Sequence, residues 1–182
     1  MRSLRSIAAL SLCWVLLAPS APASSAEPKD TAASRPTHEE QARRGSGLPV
    51  PRFASMRSDE VNVRAGPGTR YPVEWVFQRK NMPVEVVAEF ETWRRIRDWQ
   101  GTTGWVHQSM LTGRRGMVVV GKEAVLLRTP EAGAQPMARL EIAVQGEVLG
   151  CGGAWCRVEV QDMRGWIERT AIWGTYPNET ID

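Results

Sequence analysis

Residues 61–68 read Val61-Asn62-Val63-Arg64-Ala65-Gly66-Pro67-Gly68, and they are followed by Trp93-Arg94-Arg95-Ile96 and Gly101-Thr102-Thr103-Gly104-Trp105-Val106. In the first stretch apolar and polar side chains alternate. An extended strand would therefore put Val61 and Val63 on a core face and Asn62 and Arg64 outside. Gly66 and Gly68 bracket a proline turn. The other two stretches are short and rich in aromatic or β-branched residues, and Gly, Pro, Asn and Asp punctuate the intervals. No window carries a sustained 3.6-residue apolar period, so short strands are predicted throughout.

The pattern recurs. With Trp93 set on Trp155, Glu85-Val86-Val87 falls on Glu147-Val148-Leu149 and Ile96 on Val158. A one-residue shift brings Gly104-Trp105-Val106 onto Gly165-Trp166-Ile167. A two-residue shift brings Asn62-Val63-Arg64 onto Leu126-Leu127-Arg128, with Pro67 and Pro130 following. Anchors kept in order with small gaps mark an internal repeat. Residues 53–113 and 116–174 are two versions of one module, joined by Gly113-Arg114-Arg115-Gly116, with residues 175–182 as a C-terminal tail. The expected fold is all-β, with two tandem small barrels that remove most free strand edges.

These motifs carry a family resemblance. Asn62-Val63-Arg64 with Gly66-Pro67, Trp93-Arg94-Arg95-Ile96 and Gly101-Thr102-Thr103-Gly104-Trp105-Val106 resemble the bacterial SH3 (SH3b) domain. The second unit resembles it more loosely, since Leu126 stands where the asparagine is expected and Met163-Arg164 precedes Gly165-Trp166. The resemblance implies SH3-like β-barrels in an exported protein that binds peptidoglycan, a peptide or another envelope protein.

The N-terminus agrees independently with export. Arg2 and Arg5 precede an apolar run over 7–18 and small residues up to Ala26, the pattern of a cleaved signal peptide over 1–26. The run is too short to span a bilayer, so no transmembrane segment is expected after cleavage. Residues 27–52, with Pro28, Pro36, Pro49, Pro51 and few apolar side chains, read as a disordered linker. The two leader arginines account for two of the three net positive charges, leaving +1. A near-neutral body speaks against nucleic acid as the partner. The expected location is periplasmic or secreted.

The candidate ligand-binding residues are Tyr71, Trp75, Trp93, Trp99, Arg64 and Arg95, all in the first unit. Tyr71, Trp75, Trp99 and Phe77 have no counterparts in the second unit, so they either form an exposed platform or pack against that unit. Trp105 and Trp166 read as partly buried and structural. Trp93 and Trp155 are out of step with Ile96 and Val158, which requires a bulge or an outward ring. Arg64 either joins a ligand surface or pairs with a nearby carboxylate. Arg94, Arg95 and Arg97, interspersed with Glu85, Glu89 and Glu91, suit cross-strand ion pairs, or else a patch for an acidic wall polymer or lipid surface.

Cys13 leaves with the leader, so Cys151 and Cys156 remain, an even number in an oxidising compartment. Gly152-Gly153 between them suits a tight hairpin turn, and a disulfide is expected. A thiol nucleophile served by His107 is the disfavoured alternative, because no third polar group orients the pair. Two histidines and three cysteines give no complete ligand set, so no metal and no cofactor are expected. The functional expectation is a non-enzymatic binding module for peptidoglycan or an envelope protein partner. The alternative is a scaffold without wall-polymer affinity; a cell-wall hydrolase is disfavoured.

Overall fold

The computed structural model describes residues 45–182. The expected signal peptide, 1–26, and residues 27–44 of the expected linker lie outside them. Fourteen strands follow one another: β1 Arg52–Met56, β2 Val61–Arg64, β3 Val73–Phe77, β4 Pro83–Phe90, β5 Trp93–Arg97, β6 Thr103–His107, β7 Leu111–Thr112, β8 Gly116–Val119, β9 Ala124–Leu127, β10 Pro136–Leu140, β11 Gln145–Gly152, β12 Trp155–Val160, β13 Met163–Glu168 and β14 Ile172–Trp173. Single 3₁₀ turns, Gln108–Met110 and Arg169–Ala171, precede β7 and β14. The strands form two seven-stranded antiparallel sheets, ordered β3-β2-β6-β5-β4-β1-β7 and β10-β9-β13-β12-β11-β8-β14. The second order is the first one repeated strand for strand, so the all-β double barrel expected from the repeat is present.

Each core comes from one face of the pleat. Met56, Val61, Val63, Val84, Val86, Ile96 and Val106 fill the first barrel. Met117, Val119, Leu126, Val148, Val158, Val160 and Ile167 fill the second. The Gly-Trp motif has a steric reason. A Cβ at Gly165 would lie 2.6 Å from Leu126 Cγ, and one at Gly104 would collide with Val63. A glycine at this place lets the strand cross close over a core side chain of the strand beside it.

The pairing corrects the register of the repeat. Arg64 faces Trp105, and Leu127 faces Trp166. Val61–Arg64 and Ala124–Leu127 share the same buried-exposed alternation. Asn62 therefore corresponds to Val125 and Arg64 to Leu127, one residue earlier than Leu126 and Arg128. Two leucines in succession allow either phase when only the motif is aligned; burial of Leu126 settles it.

Residues at the end of the expected linker are tied to the first barrel. The Ser46 amide and hydroxyl donate to the Glu89 carboxylate, as does Arg52, already in β1. Arg94 completes this set at 3.0 Å from Glu89, with both side chains only 3% exposed. Burial raises the Glu89 pKa, but the Ser46 and Arg52 hydrogen bonds and the Arg52 charge outweigh it, and the net shift is downward.

The two barrels pack against each other. The Gly116 amide donates to the wholly buried Ser55 hydroxyl at 2.8 Å. Phe53 meets Trp173 edge-on and Tyr176 at a tilt, both at 4.8 Å between ring centroids. The Tyr176 hydroxyl donates to Glu85 at 2.9 Å, and Arg97 pairs with the same carboxylate from β5. Burial first, then the Glu85 hydrogen bond, pushes the Tyr176 phenol well above its ordinary pKa, so it stays a neutral donor. The aromatic junction is thus Phe53, Trp173 and Tyr176, not the Tyr71, Trp75, Trp99 and Phe77 of the sequence alternative. The tail is part of it. Glu179 takes both terminal nitrogens of Arg115, and Ile181 pairs with Cys151. Burial raises the Glu179 pKa, but Arg115 and the Tyr176 amide outweigh that and lower it.

Cys151 and Cys156 are bonded. The Cys151 amide and carbonyl are both engaged by Ile181, so Cys151 and Cys156 face each other as a non-hydrogen-bonded pair. Such pairs bring Cα atoms close, here to 4.1 Å. The turn differs from expectation: Gly152 pairs with Trp155, and Gly153-Ala154 form the two-residue loop. The equivalent loop of the first barrel, between Phe90 and Trp93, is Glu91-Thr92.

Three outcomes follow. Reduction should lower the melting temperature, by an amount corresponding to about 2 kcal/mol for so short a loop, and thiol titration of the oxidised protein should find no free sulfhydryl at Cys151 or Cys156. Gly116→Ala drives a methyl into the Asn81 carbonyl oxygen and should cost about 1–3 kcal/mol in denaturant unfolding, whereas Gly113→Ala, with open space around it, should be near neutral. Because the Glu89 and Glu179 pKa values are depressed on folding, their contribution is full above the unfolded carboxylate pKa near 4.3 and disappears as pH falls through the folded values. Glu89→Gln should flatten this acid limb of stability against pH.

Candidate functional site

The six residues singled out in the sequence separate into groups. In β5, Arg94 and Ile96 point inward, leaving Trp93, Arg95 and Arg97 on the outer face. In β6, Gly104 and Val106 are buried, which turns Thr103, Trp105 and His107 outward. In β2, Asn62 and Arg64 are outward. Register then assembles a row across three strands: Arg64 opposite Trp105, and Trp105 opposite Arg95. Beside it, Trp93 lies opposite His107, ring centroids 5.5 Å apart and edge to face. Trp93 needs no bulge; its ring simply faces away from the core.

Trp105 and its counterpart Trp166 are half-buried as expected, but they lie on this outer face and not among the core side chains. Trp105 was not among the candidates, and only the register sets it opposite Arg64 on one side and Arg95 on the other. The sequence signal was present in the alternation of Thr103, Trp105 and His107 against Val106.

Trp75, Tyr71 and Trp99 do not join the row. Trp75 pairs with the inward Val63 and packs against the first core, with Phe77 edge-on at 6.5 Å. Tyr71 covers Gly66, where an added Cβ would meet its ring. Trp99 is half-buried in the turn 98–101, whose backbone is fastened by the Asp98 carboxylate accepting from Gln100 and Thr102 amides. The single-barrel aromatics do not form one platform.

The basic residues divide in the same way. Arg97 pairs with Glu85 and Arg94 with Glu89, both across β4 and β5 as expected of cross-strand ion pairs. Arg95 reaches only Thr103 Oγ1, at 3.4 Å. Arg64 does not pair with a carboxylate; one terminal nitrogen donates to the Thr69 and Tyr71 carbonyls at 3.2 and 2.7 Å, which pins the turn after β2. Among the described residues, neither Arg64 nor Arg95 has a carboxylate within ion-pair distance.

A hollow of about 310 Å³ opens beside this row, lined by Glu60, Asn62, Arg64, Trp93, His107 and Ser109 among others. His107 Nδ1 lies 2.7 Å from the Ser109 hydroxyl and accepts from the Ser109 amide. The site can offer an indole wall, guanidinium and amide donors, and one carboxylate. Such a set suits binding by stacking and hydrogen bonding. The thiol that a His107 base would serve is absent from it, since Cys156 is in the other barrel and bonded to Cys151.

The model of the bacterial SH3 domain family matches residues 57–113 and 120–174, more than half of the chain. No curated protein matches the chain. Among solved structures it is similar to NlpC2 from Trichomonas vaginalis, with 11% identity over 69% of this chain and a TM-score of 0.32. NlpC1 from the same organism gives 13% identity over 70% and a TM-score of 0.32. An NlpC/P60 family protein from Bacillus cereus gives 13% over 66% and 0.31. The chain spans about half the length of these proteins: 49%, 47% and 55% respectively. With both barrels built to one strand order and both matched by one family model, the chain belongs to the bacterial SH3 domain family.

Proposed function

We propose that the chain is an exported, non-enzymatic binding module of the bacterial cell envelope. Its ligand surface is the outer face of the first barrel, and its target is peptidoglycan or an envelope protein. The observation that carries this reading is the Arg64–Trp105–Arg95 row with Trp93 beside it. Both guanidinium groups lack a carboxylate partner among the described residues, although one terminal nitrogen of Arg64 also pins the turn after β2. They are the groups that recognise carboxylates and hydroxyls in two-pronged fashion, and the indoles supply flat apolar area between them. Membership in the bacterial SH3 family supports a binding role, and the Cys151–Cys156 bond suits an oxidising compartment. Both described thiols are held in that bond, which supports binding over nucleophilic chemistry.

Co-sedimentation with purified cell wall, alongside pull-down from the native envelope, tests the reading. Arg95→Ala and Trp93→Ala should each weaken retention about tenfold or more while shifting the melting temperature little, and retention should fall as salt rises. Trp75→Ala should do the reverse, lowering stability through loss of packing. Retention unchanged in both outer-face variants, on wall and envelope protein alike, would contradict the assignment.

A further inference from the structure

A second hollow adjoins that of the first barrel. It holds about 390 Å³ and shares His107 and Ser109 with the first, so the two form one continuous groove. Leu48, Ala54, Val86 and Leu111 give it an apolar side, and Arg52 and Arg57 a basic one. Leu48 is 53% exposed and precedes both β1 and the family-matched residues 57–113. The Glu89 clasp holds it there. The Ser46 amide and hydroxyl donate to Glu89 at 2.6 and 2.8 Å, and the Leu48 amide donates to the Ser46 hydroxyl at 3.2 Å. Arg94, paired with Glu89, donates to Gln108 Oε1 at 2.6 Å, and Gln108 directly follows His107. A chain of polar contacts thus ties one wall of the groove to the turn that ends the other.

The charges along the groove are uneven. Four guanidinium groups line it, those of Arg52, Arg57, Arg64 and Arg94, against one lining carboxylate, Glu60. Glu60 lies at the Arg64 end. At the other end Glu89 is already matched by Arg52 and Arg94. Arg57 donates Nε and Nη2 to the Leu111 carbonyl, at 3.2 and 3.0 Å, and has no ion-pair partner among the described residues. Of the charged groups on the adjoining turns, Asp59 accepts from the Lys80 amide and Arg114 pairs with Glu147. Glu91, in the turn before Trp93, lines neither hollow.

We propose that residues 46–48 form a wall of the binding site, and that the groove takes an extended peptide segment of a partner protein in which a carboxylate neighbours a large apolar side chain. The proposal rests on the reading that the first barrel binds through the face carrying Trp93. Three observations select the occupant. Each hollow reaches the roughly 300 Å³ at which ligand pockets begin, so two in continuity suit a chain. The surface of Leu48, Ala54 and Leu111 offers a sugar's hydroxyls no partner, whereas an aliphatic or aromatic side chain is buried on it. A wall peptide with only small side chains would leave that surface uncovered. Arg57 supplies a guanidinium for the carboxylate, at the end of the groove that lacks a free one of its own.

The test is an NMR titration of the full chain, reading backbone amides and indole N–H groups. The probes are acetyl-Ala-Glu-Leu-Glu-amide, acetyl-Ala-Glu-Ala-Glu-amide, acetyl-Ala-Lys-Leu-Lys-amide and the tetramer of N-acetylglucosamine. The first should shift both the Leu48 amide and the Trp93 indole, saturably. The other three should bind about tenfold more weakly or worse. Leu48→Ser and Arg57→Gln should each weaken the first peptide by about the same factor, and a melting curve reports whether each stays folded. The proposal is overturned by shifts that do not saturate or that spare Leu48, by equal binding of the alanine peptide or the sugar, or by unchanged affinity in a folded Leu48→Ser protein. The two readings fail separately. Retention on wall or envelope protein that still depends on Trp93 and Arg95, with no peptide bound at Leu48, refutes the groove alone.

Discussion

A barrel of under 60 residues has one usable face per strand for its core, and every other side chain must face solvent or a neighbour. This constraint organises the whole molecule. Val61 and Val63, Ile96 and Val106 are committed to the first interior, which leaves Asn62, Arg64, Arg95, Trp105 and His107 on the outside. The second barrel obeys the same rule with Leu126, Val158 and Ile167 inside. Inward positions stay apolar in both copies because the fold demands it, except at Arg94, whose buried guanidinium is held by Glu89 and Gln108. Outward positions are under no such demand, and there the copies diverge.

Small barrels of this size are marginal alone, and the junction answers that. Phe53 lies in β1 of the first barrel, Trp173 in β14 of the second and Tyr176 in the tail. Glu85 accepts from Tyr176 on one side and from Arg97 on the other, and Arg115 is held by Glu179. The tail therefore acts as a third element of the fold. It also shields the Cys151 strand through Ile181. Apart from Arg97 of β5, none of this draws on the outer faces of β2, β5 and β6 or of β9, β12 and β13.

The fold was legible in the sequence because its signals are local. Alternation in Val61–Arg64, the Gly-Trp pairs and the Trp93/Trp155 repeat each depend on neighbours a few residues away. The disulfide was legible for the same reason, with one turn bringing the cysteines together. The candidate site was legible only in part. Arg64, Trp93 and Arg95, singled out in the sequence, point outward because the pleat sends them there. Trp105 was not singled out, because its place in the row depends on register with Arg64 and Arg95 across three strands. Tyr71, Trp75 and Trp99 were grouped by composition, yet the structure sends them to a turn, a core edge and a loop. The phase of Val125 and Leu127 hid behind consecutive leucines.

The central claim is that outer-face tryptophans serve binding while the inward Trp75 serves folding. Oxidative footprinting of the tryptophans, with and without the native envelope fraction, tests it most directly. The account predicts that Trp93 and Trp105 become protected from oxidation when the envelope fraction is present, while Trp75 is unchanged. Protection absent from Trp93 and Trp105, or confined to Trp75 and Trp99, would contradict it.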